Sequence, residues 1–179
     1  PYLKQHLCER KMPESVYKTI PNFLNKEIFD KIILEVKNMP WFYSPHTGLP
    51  GDTSNYYFFH LLYEKGKMES PHYFNSILMP VIGRLNFNYL YRARLNLYTK
   101  QPKHIKTMFH VDTPLPHTVC LYSFSTNNGY TEFENGDKAR SIENNLITFP
   151  GNLKHRSINQ TDTNIRFNLN LNLSASLLT

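Results

Sequence analysis

Phe109-His110-Val111-Asp112 is the stretch on which the reading of this chain turns. In an extended backbone side chains alternate with period two, so the imidazole of His110 and the carboxylate of Asp112 project to one side and can grip one ion. A second imidazole, His155, follows the turn in Pro150-Gly151-Asn152-Leu153-Lys154-His155. It would complete a face of two imidazoles and one carboxylate that leaves the opposite positions of an octahedral metal free, a set suited to non-haem Fe(II). Arg166 lies further on, in the alternating run Ile165-Arg166-Phe167-Asn168-Leu169-Asn170-Leu171-Asn172-Leu173. There a guanidinium can hold a carboxylate in bidentate fashion. A His-x-Asp pair alone arises easily by chance; the order of the parts carries the weight. A β-rich stretch follows the pair, then a His just after a Pro-Gly turn, then an Arg in the next strand.

With these parts in this order, the chain resembles the Fe(II)- and 2-oxoglutarate-dependent oxygenases, in particular their prolyl-4-hydroxylase-like branch and similar small proteins of phage and marine type. The resemblance covers about residues 89 to 173. It includes Tyr122-Ser123-Phe124-Ser125-Thr126-Asn127-Asn128-Gly129-Tyr130-Thr131-Glu132-Phe133, which is similar to that branch's strand and hairpin after His-x-Asp. It implies a mostly β fold with supporting N-terminal helices, a double-stranded β-helix or jelly roll. It also implies Fe(II) on His110, Asp112 and His155, and 2-oxoglutarate on Arg166. Asn96 and Tyr98 are similar to the Asn-x-Tyr pair that contacts 2-oxoglutarate in the AlkB-type demethylases of this superfamily, and with Asn168 they are expected to complete the cosubstrate pocket. The implied reaction uses O₂ to hydroxylate a substrate C–H bond while 2-oxoglutarate is decarboxylated to succinate, with ascorbate in a supporting role. Asp112 points to hydroxylation or demethylation, since related halogenases lack that carboxylate. Ser123 is a departure: prolyl-4-hydroxylases often carry a Tyr there, which bears on how the oxo-acid pocket is closed and on a prolyl substrate.

The 179 residues, 40% hydrophobic and 14% aromatic, are expected to form one globular domain, 1–179. Within it, 1–88 would be a supporting region of helices and strand, and 89–173 the jelly-roll core. No long apolar run occurs, and residues 1–14 are polar without an apolar core, so neither a membrane span nor a signal peptide is expected. Two cysteines, Cys8 and Cys120, argue for a reducing compartment, the cytoplasm (a host's, for a viral protein), with Cys120 a small buried hydrophobe. The net charge of +6 permits an acidic partner. Lys100, Lys103 and Lys106 lead into the His-x-Asp pair, and Lys154 and Arg156 bracket His155, which puts positive charge at the mouth of the site. Arg94, Lys106 and Arg156 are the candidates for contact with the primary substrate.

Residues 16–20 alternate as a short strand. A helix begins after Asn25 with Ile28, Phe29, Ile32, Ile33 and Val36 on one stripe and stops at Asn38-Met39-Pro40. Trp41-Phe42-Tyr43 reads as an edge segment. The Pro- and Gly-rich loop 44–53 is a lid or a connection, the connection being favoured. Further strands are expected at 56–63, 89–98, 117–124, 146–149, 155–159 and 164–173, with a hairpin over 131–142 turning at Asn135-Gly136-Asp137. A second helix starts at Ser70-Pro71 and kinks at Pro80. Many short strands with helices confined to the N-terminal half indicate a sandwich or jelly roll buttressed on one sheet.

Three functions follow in order. The first is a hydroxylase of a polypeptide, prolyl or otherwise, or of a small molecule. The second keeps the iron chemistry but places nucleic acid in the basic mouth. The third is a non-catalytic jelly-roll binding module in which His110 and His155 are structural. His6, His46, His60, His72, His104 and His117 read as surface or hydrogen-bonded core residues.

Overall fold

A computed structural model describes residues 15–47 and 50–174 of the chain. In chain order the elements are β1 (Lys18–Ile20), α1 (Lys26–Asn38), β2 (Phe42–Ser44), β3 (Tyr57–Glu64) and β4 (Lys67–Met68). Two short α-helical turns, Pro71–Tyr73 and Met79–Ile82, flank a π-helical turn, Phe74–Leu78. There follow β5 (Leu90–Thr99), β6 (Thr118–Ser123), β7 (Tyr130–Phe133), β8 (Lys138–Arg140), β9 (Leu146–Pro150), β10 (His155–Ile158) and β11 (Ile165–Leu173).

The larger sheet runs β1-β9-β6-β11-β5-β3-β2 with β4 paired to β3, and the smaller runs β10-β7-β8. Every pairing is antiparallel. The segment 106–110 lies along the open edge of β10 through bridges at Lys106↔Ile158 and His110↔His155, so it acts as a further row of the smaller sheet. From β5 onward the chain passes back and forth between the sheets, with the β7–β8 hairpin kept within the smaller one, which is the winding of a jelly roll.

Cross-strand partners share a face, so register decides what the barrel interior contains. Asn168 opposes Asn96, Asn170 opposes Arg94 and Asn172 opposes Arg92 across β11 and β5. This polar face is turned inward. The alternate residues Ala93, Leu95, Phe167, Leu169 and Leu171 are buried in the cluster that contains Phe29, Ile32 and Val36 of α1. The strand is thus covered on both sides, by the helix on one and by the smaller sheet on the other. A polar strand face usually meets water; here Asn168, Asn170 and Asn172 are buried.

The helix forms where the periodicity places it. Asn25 caps it, its side chain accepting from the Ile28 amide at 2.9 Å, and Met39 turns extended because the residue before a proline is driven out of the helical region. Burial of Phe29, Ile32 and Val36 contributes about 6 kcal/mol at roughly 2 kcal/mol per side chain. The second helix differs from the expectation of one kinked rod. Pro80 has no amide hydrogen, and the turn before it widens to π geometry, with Met79 N–H donating to the Phe74 carbonyl. Gly136 closes the β7–β8 hairpin at φ +92°, where a side chain would be strained.

The His-x-Asp stretch is extended, as expected, and is pinned to β10 at His110. Loop 44–53 does more than connect: Thr47 and Asp52 are buried, and the Asp52 carboxylate accepts from the Met108 amide at 2.7 Å, tying the loop to the segment that carries His110. Cys120 is free and buried, its thiol pushed up to about 12 by burial. Cys8 and the polar segment 1–14 lie outside the described residues. Among the described residues no helix is long and apolar enough to cross a membrane.

Candidate metal centre and adjoining pocket

His110 and His155 are a reciprocally bonded antiparallel pair. Each backbone N–H donates to the other's carbonyl at 3.0 Å, which sets the imidazoles side by side with ring centroids 4.8 Å apart. Each ring is oriented the same way. Nδ1–H of His110 donates to the Met108 carbonyl at 3.2 Å, and Nδ1–H of His155 donates to the Leu153 carbonyl at 3.1 Å. A carbonyl can only accept, so this bonding leaves Nε2 of both rings with its lone pair free. Asp112 completes the group, its Oδ1 3.7 Å from His110 Nε2. One ligand atom from each of the three lies within 4.8 Å of the others. Burial holds His155 below the ordinary imidazole value against the pull of Asp112, which favours the neutral, ligating form.

Asp112 is held by residues that the sequence reading placed on polar strand faces without a role. Its Oδ2 accepts from Asn172 Nδ2 at 2.8 Å and Asn170 Nδ2 at 3.1 Å, and its Oδ1 is 3.4 Å from Arg92 Nη2. Burial alone would raise this carboxyl, but His155, Arg92 and the two amides hold it far below the usual carboxylate range. These partners fix the carboxylate from outside the triad. The Asn-x-Asn alternation on the face that carries Arg166 marks a polar row there, but only the strand register shows that it reaches Asp112.

A cavity opens beside the triad, lined by Thr47, Tyr57, Arg94, Asn96, Tyr98, Thr107, Arg166, Asn168 and Asn170 among others. It therefore gathers all four residues expected to bind the cosubstrate. Asn96 Nδ2 donates to Asn168 Oδ1 at 2.8 Å, leaving Asn96 Oδ1 buried without a donor. Arg166 is only 2% exposed. Its Nη1 donates to the Ile158 carbonyl at 2.8 Å, its Nε has no acceptor, and no carboxylate pairs with it among the described residues. The guanidinium lies over the Tyr98 ring at 5.3 Å, and Tyr98 stacks on Tyr57 at 5.8 Å. Burial lowers the Arg166 pKa while Tyr98 opposes that shift. Gly129 lets the chain pass close by, since a Cβ there would meet Asn127 Oδ1 at 2.9 Å and Arg166 Nη1 at 3.1 Å.

Of the expected substrate contacts, Arg94 lines the cavity, and Lys106 and Arg156 do not. Arg156 is held by Glu132 through Nε at 2.7 Å and Nη2 at 2.5 Å, and Lys106 Nζ is 3.7 Å from the same carboxylate. The basic mouth inferred from the sequence is thus partly neutralised from within. Ser123 is buried opposite Asn168 on β6, and the phenols in the cavity come instead from Tyr57 and Tyr98. His60, His104 and His117 bond backbone carbonyls through Nδ1, His60 and His117 as buried residues and His104 at the surface.

No family model matches the sequence, and no curated protein matches it. Solved structures do. A 2OG-Fe(II) oxygenase family oxidoreductase from Burkholderia pseudomallei superposes with a TM-score of 0.70 at 14% identity, over 90% of this chain and 86% of that one. A Trichoplax adhaerens prolyl hydroxylase, in complex with a hypoxia inducible factor peptide fragment, gives 0.60 at 15% identity over 90% and 84%. A Pseudomonas putida prolyl-4-hydroxylase gives 0.59 at 8% identity over 90% and 94%. The fold is therefore the jelly roll shared by the 2-oxoglutarate/Fe(II) oxygenases and the prolyl hydroxylases among them.

Proposed function

We propose that this chain is an Fe(II)- and 2-oxoglutarate-dependent hydroxylase. The observation that carries the reading is Arg166: a buried guanidinium with no carboxylate of its own, in the same cavity as a two-His, one-Asp cluster. A buried charge left unpaired is costly, so a site that retains one is built for a charged ligand. The donor set fits a divalent metal with open positions, and the unpartnered donor Arg166 Nε fits an anionic cosubstrate. His110, Asp112 and His155 would hold the metal; Arg166 would hold the distal carboxylate of the oxo acid, with Asn96, Tyr98 and Asn168 around it. The chemistry available with both bound and O₂ present is decarboxylation of 2-oxoglutarate coupled to hydroxylation of a C–H bond.

The chain's own residues orient and exclude. The Met108 and Leu153 carbonyls aim the two Nε2 atoms, while Asn170, Asn172 and Arg92 fix Asp112. The Tyr57–Tyr98 stack and Phe149 wall the cavity against water. A polypeptide is the proposed substrate class, supported by the likeness to a prolyl hydroxylase whose structure holds a peptide. No observation favours nucleic acid, and a non-catalytic module gives no reason for the unpaired Arg166. Calorimetric titration of the Mn(II)-loaded protein tests the reading. One equivalent of 2-oxoglutarate should bind, and binding should weaken at least tenfold without the metal; no binding, or metal-independent binding, would contradict it.

A further inference from the structure

Arg166 is not the sole guanidinium of the cavity without an acid. Arg94 sits on β5 between Arg92, which is 3.4 Å from Asp112, and Asn96, which is bonded to Asn168. It lines the same cavity, its Nε is buried without an acceptor, and among the described residues its side chain forms no hydrogen bond or ion pair. Its one partner is the ring of Tyr57, 5.4 Å from the guanidinium carbon. In register it opposes Asn170, whose amide holds Asp112, so Arg94 lies level with the metal cluster rather than with the Arg166 end.

Charge separates the two arginines. On the function proposed above, on which this inference rests, a divalent metal and a dianionic oxo acid cancel, and Arg92 offsets Asp112. The loaded site then remains two charges positive through Arg166 and Arg94, in a setting where charge is poorly screened. The oxo acid has one distal carboxylate, and Arg166 is placed for it. Arg94 is left with unfilled donors and a half-buried charge.

The wall next to Arg94 is apolar. Leu61 opposes Arg94 across β3 and β5, and Phe59 opposes Asn96. Both therefore share the cavity-side face, and both are half-buried. Tyr57 and Phe59 stand 6.2 Å apart along that face, and the row reaches the sheet edge at Phe42, which opposes Phe59 and is 54% exposed.

We propose that Arg94 binds a carboxylate of the primary substrate, and that the Tyr57–Phe59–Leu61 face receives that substrate's apolar body. A planar guanidinium beside aromatic rings is suited to a carboxylate on an apolar frame, and the acid would place a neighbouring C–H bond beside the metal cluster.

The test titrates the Mn(II)-loaded, 2-oxoglutarate-saturated protein with three probes: 3-phenylpropanoate, N-acetyl-L-phenylalanine and N-acetyl-L-phenylalaninamide. Either acid should bind at least tenfold more tightly than the amide. Binding of both acids identifies a simple acid as sufficient, and binding of N-acetyl-L-phenylalanine alone identifies a peptide C-terminus. Arg94→Gln should remove the preference for acid while lowering 2-oxoglutarate affinity by less than about fivefold through the lost charge, and Arg94→Lys should retain part of the preference. Near-ultraviolet circular dichroism of the variants confirms native packing. Equal binding of acid and amide, no binding of either acid, or a tenfold loss of 2-oxoglutarate affinity in Arg94→Gln would overturn the assignment. Failure of the parent to bind 2-oxoglutarate is a separate result. It would contradict the function proposed above, and the acid-against-amide comparison is then read on the Mn(II)-loaded protein alone.

Discussion

Two arginines on consecutive strands, Arg156 on β10 and Arg166 on β11, meet opposite surroundings. Arg156 lies half-buried over the Phe109 ring at 4.1 Å, and Glu132 grips it through two nitrogens. Burial works against the charged form of Glu132, yet Arg156 and Lys106 keep its pKa lowered. Arg166 is more deeply buried and has no acid partner among the described residues. The first is a finished interaction of the fold. The second is a buried charge with no counter-ion among the described residues, and for it we propose a carboxylate ligand.

The comparison makes measurable claims, beginning with the one whose loss would be total. His155→Ala should abolish stoichiometric Fe(II) binding, read by metal content after desalting, because two remaining ligands cannot define the face. A variant binding iron as tightly as the parent would break the assignment of the triad. Next in size is Asn172→Ala, which strips one of the amides from Asp112. Metal affinity should fall about tenfold to a hundredfold with the fold retained; competition against a chelator measures it, and parental affinity would show that Asp112 needs no such support.

Stability sharpens the contrast directly. In metal-free, ligand-free protein, Arg156→Met leaves Glu132 buried beside Lys106 alone and should cost about 2 kcal/mol, or roughly 6 °C in thermal midpoint. Arg166→Met removes an unpaired buried charge at the expense of a donor to the Ile158 carbonyl, so its midpoint should stay within about 2 °C of the parent or rise. A fall as large as that of Arg156→Met would mean that Arg166 is part of the fold's own bonding. The smallest effect is expected of Gly129→Ala, whose added methyl presses on Arg166 Nη1. A loss of 2-oxoglutarate affinity of about threefold, with metal binding unchanged, is the expected titration result.

The strands and α1 were legible because their periodicities are clean: Ile28, Phe29, Ile32, Ile33 and Val36 mark a helix, and the Asn-Leu alternation marks β11. That His110, Asp112 and His155 come together beside Arg166 was legible through order along the chain. What the sequence hid is what depends on register. Nothing local says that Asn170 and Asn172 reach Asp112, since that requires β11 to pair with β5 and β6 while the His110 segment crosses to the smaller sheet. The same holds for Arg156. As a charge beside a ligand it read as part of a basic mouth, and only the β7–β10 pairing, which sets Glu132 opposite it, shows that it is already paired. Tyr57 was one of many aromatics in its strand until packing put it in the cavity beside Tyr98. The helix after Ser70 was read as one rod because Pro80 signals a break without specifying the π turn that accommodates it.

The central claim is that Arg166 awaits the distal carboxylate of 2-oxoglutarate. The most direct measurement is a titration of 2-oxoglutarate into Mn(II)-loaded parent, Arg166→Lys and Arg166→Met under N₂. Loss of a buried, bidentate partner costs about 3 kcal/mol or more, which is roughly a hundredfold in affinity. Arg166→Met should lose at least that factor, Arg166→Lys should fall between it and the parent because it keeps the charge but not the fork, and all three should bind Mn(II) alike. Parental 2-oxoglutarate affinity in Arg166→Met would contradict the account.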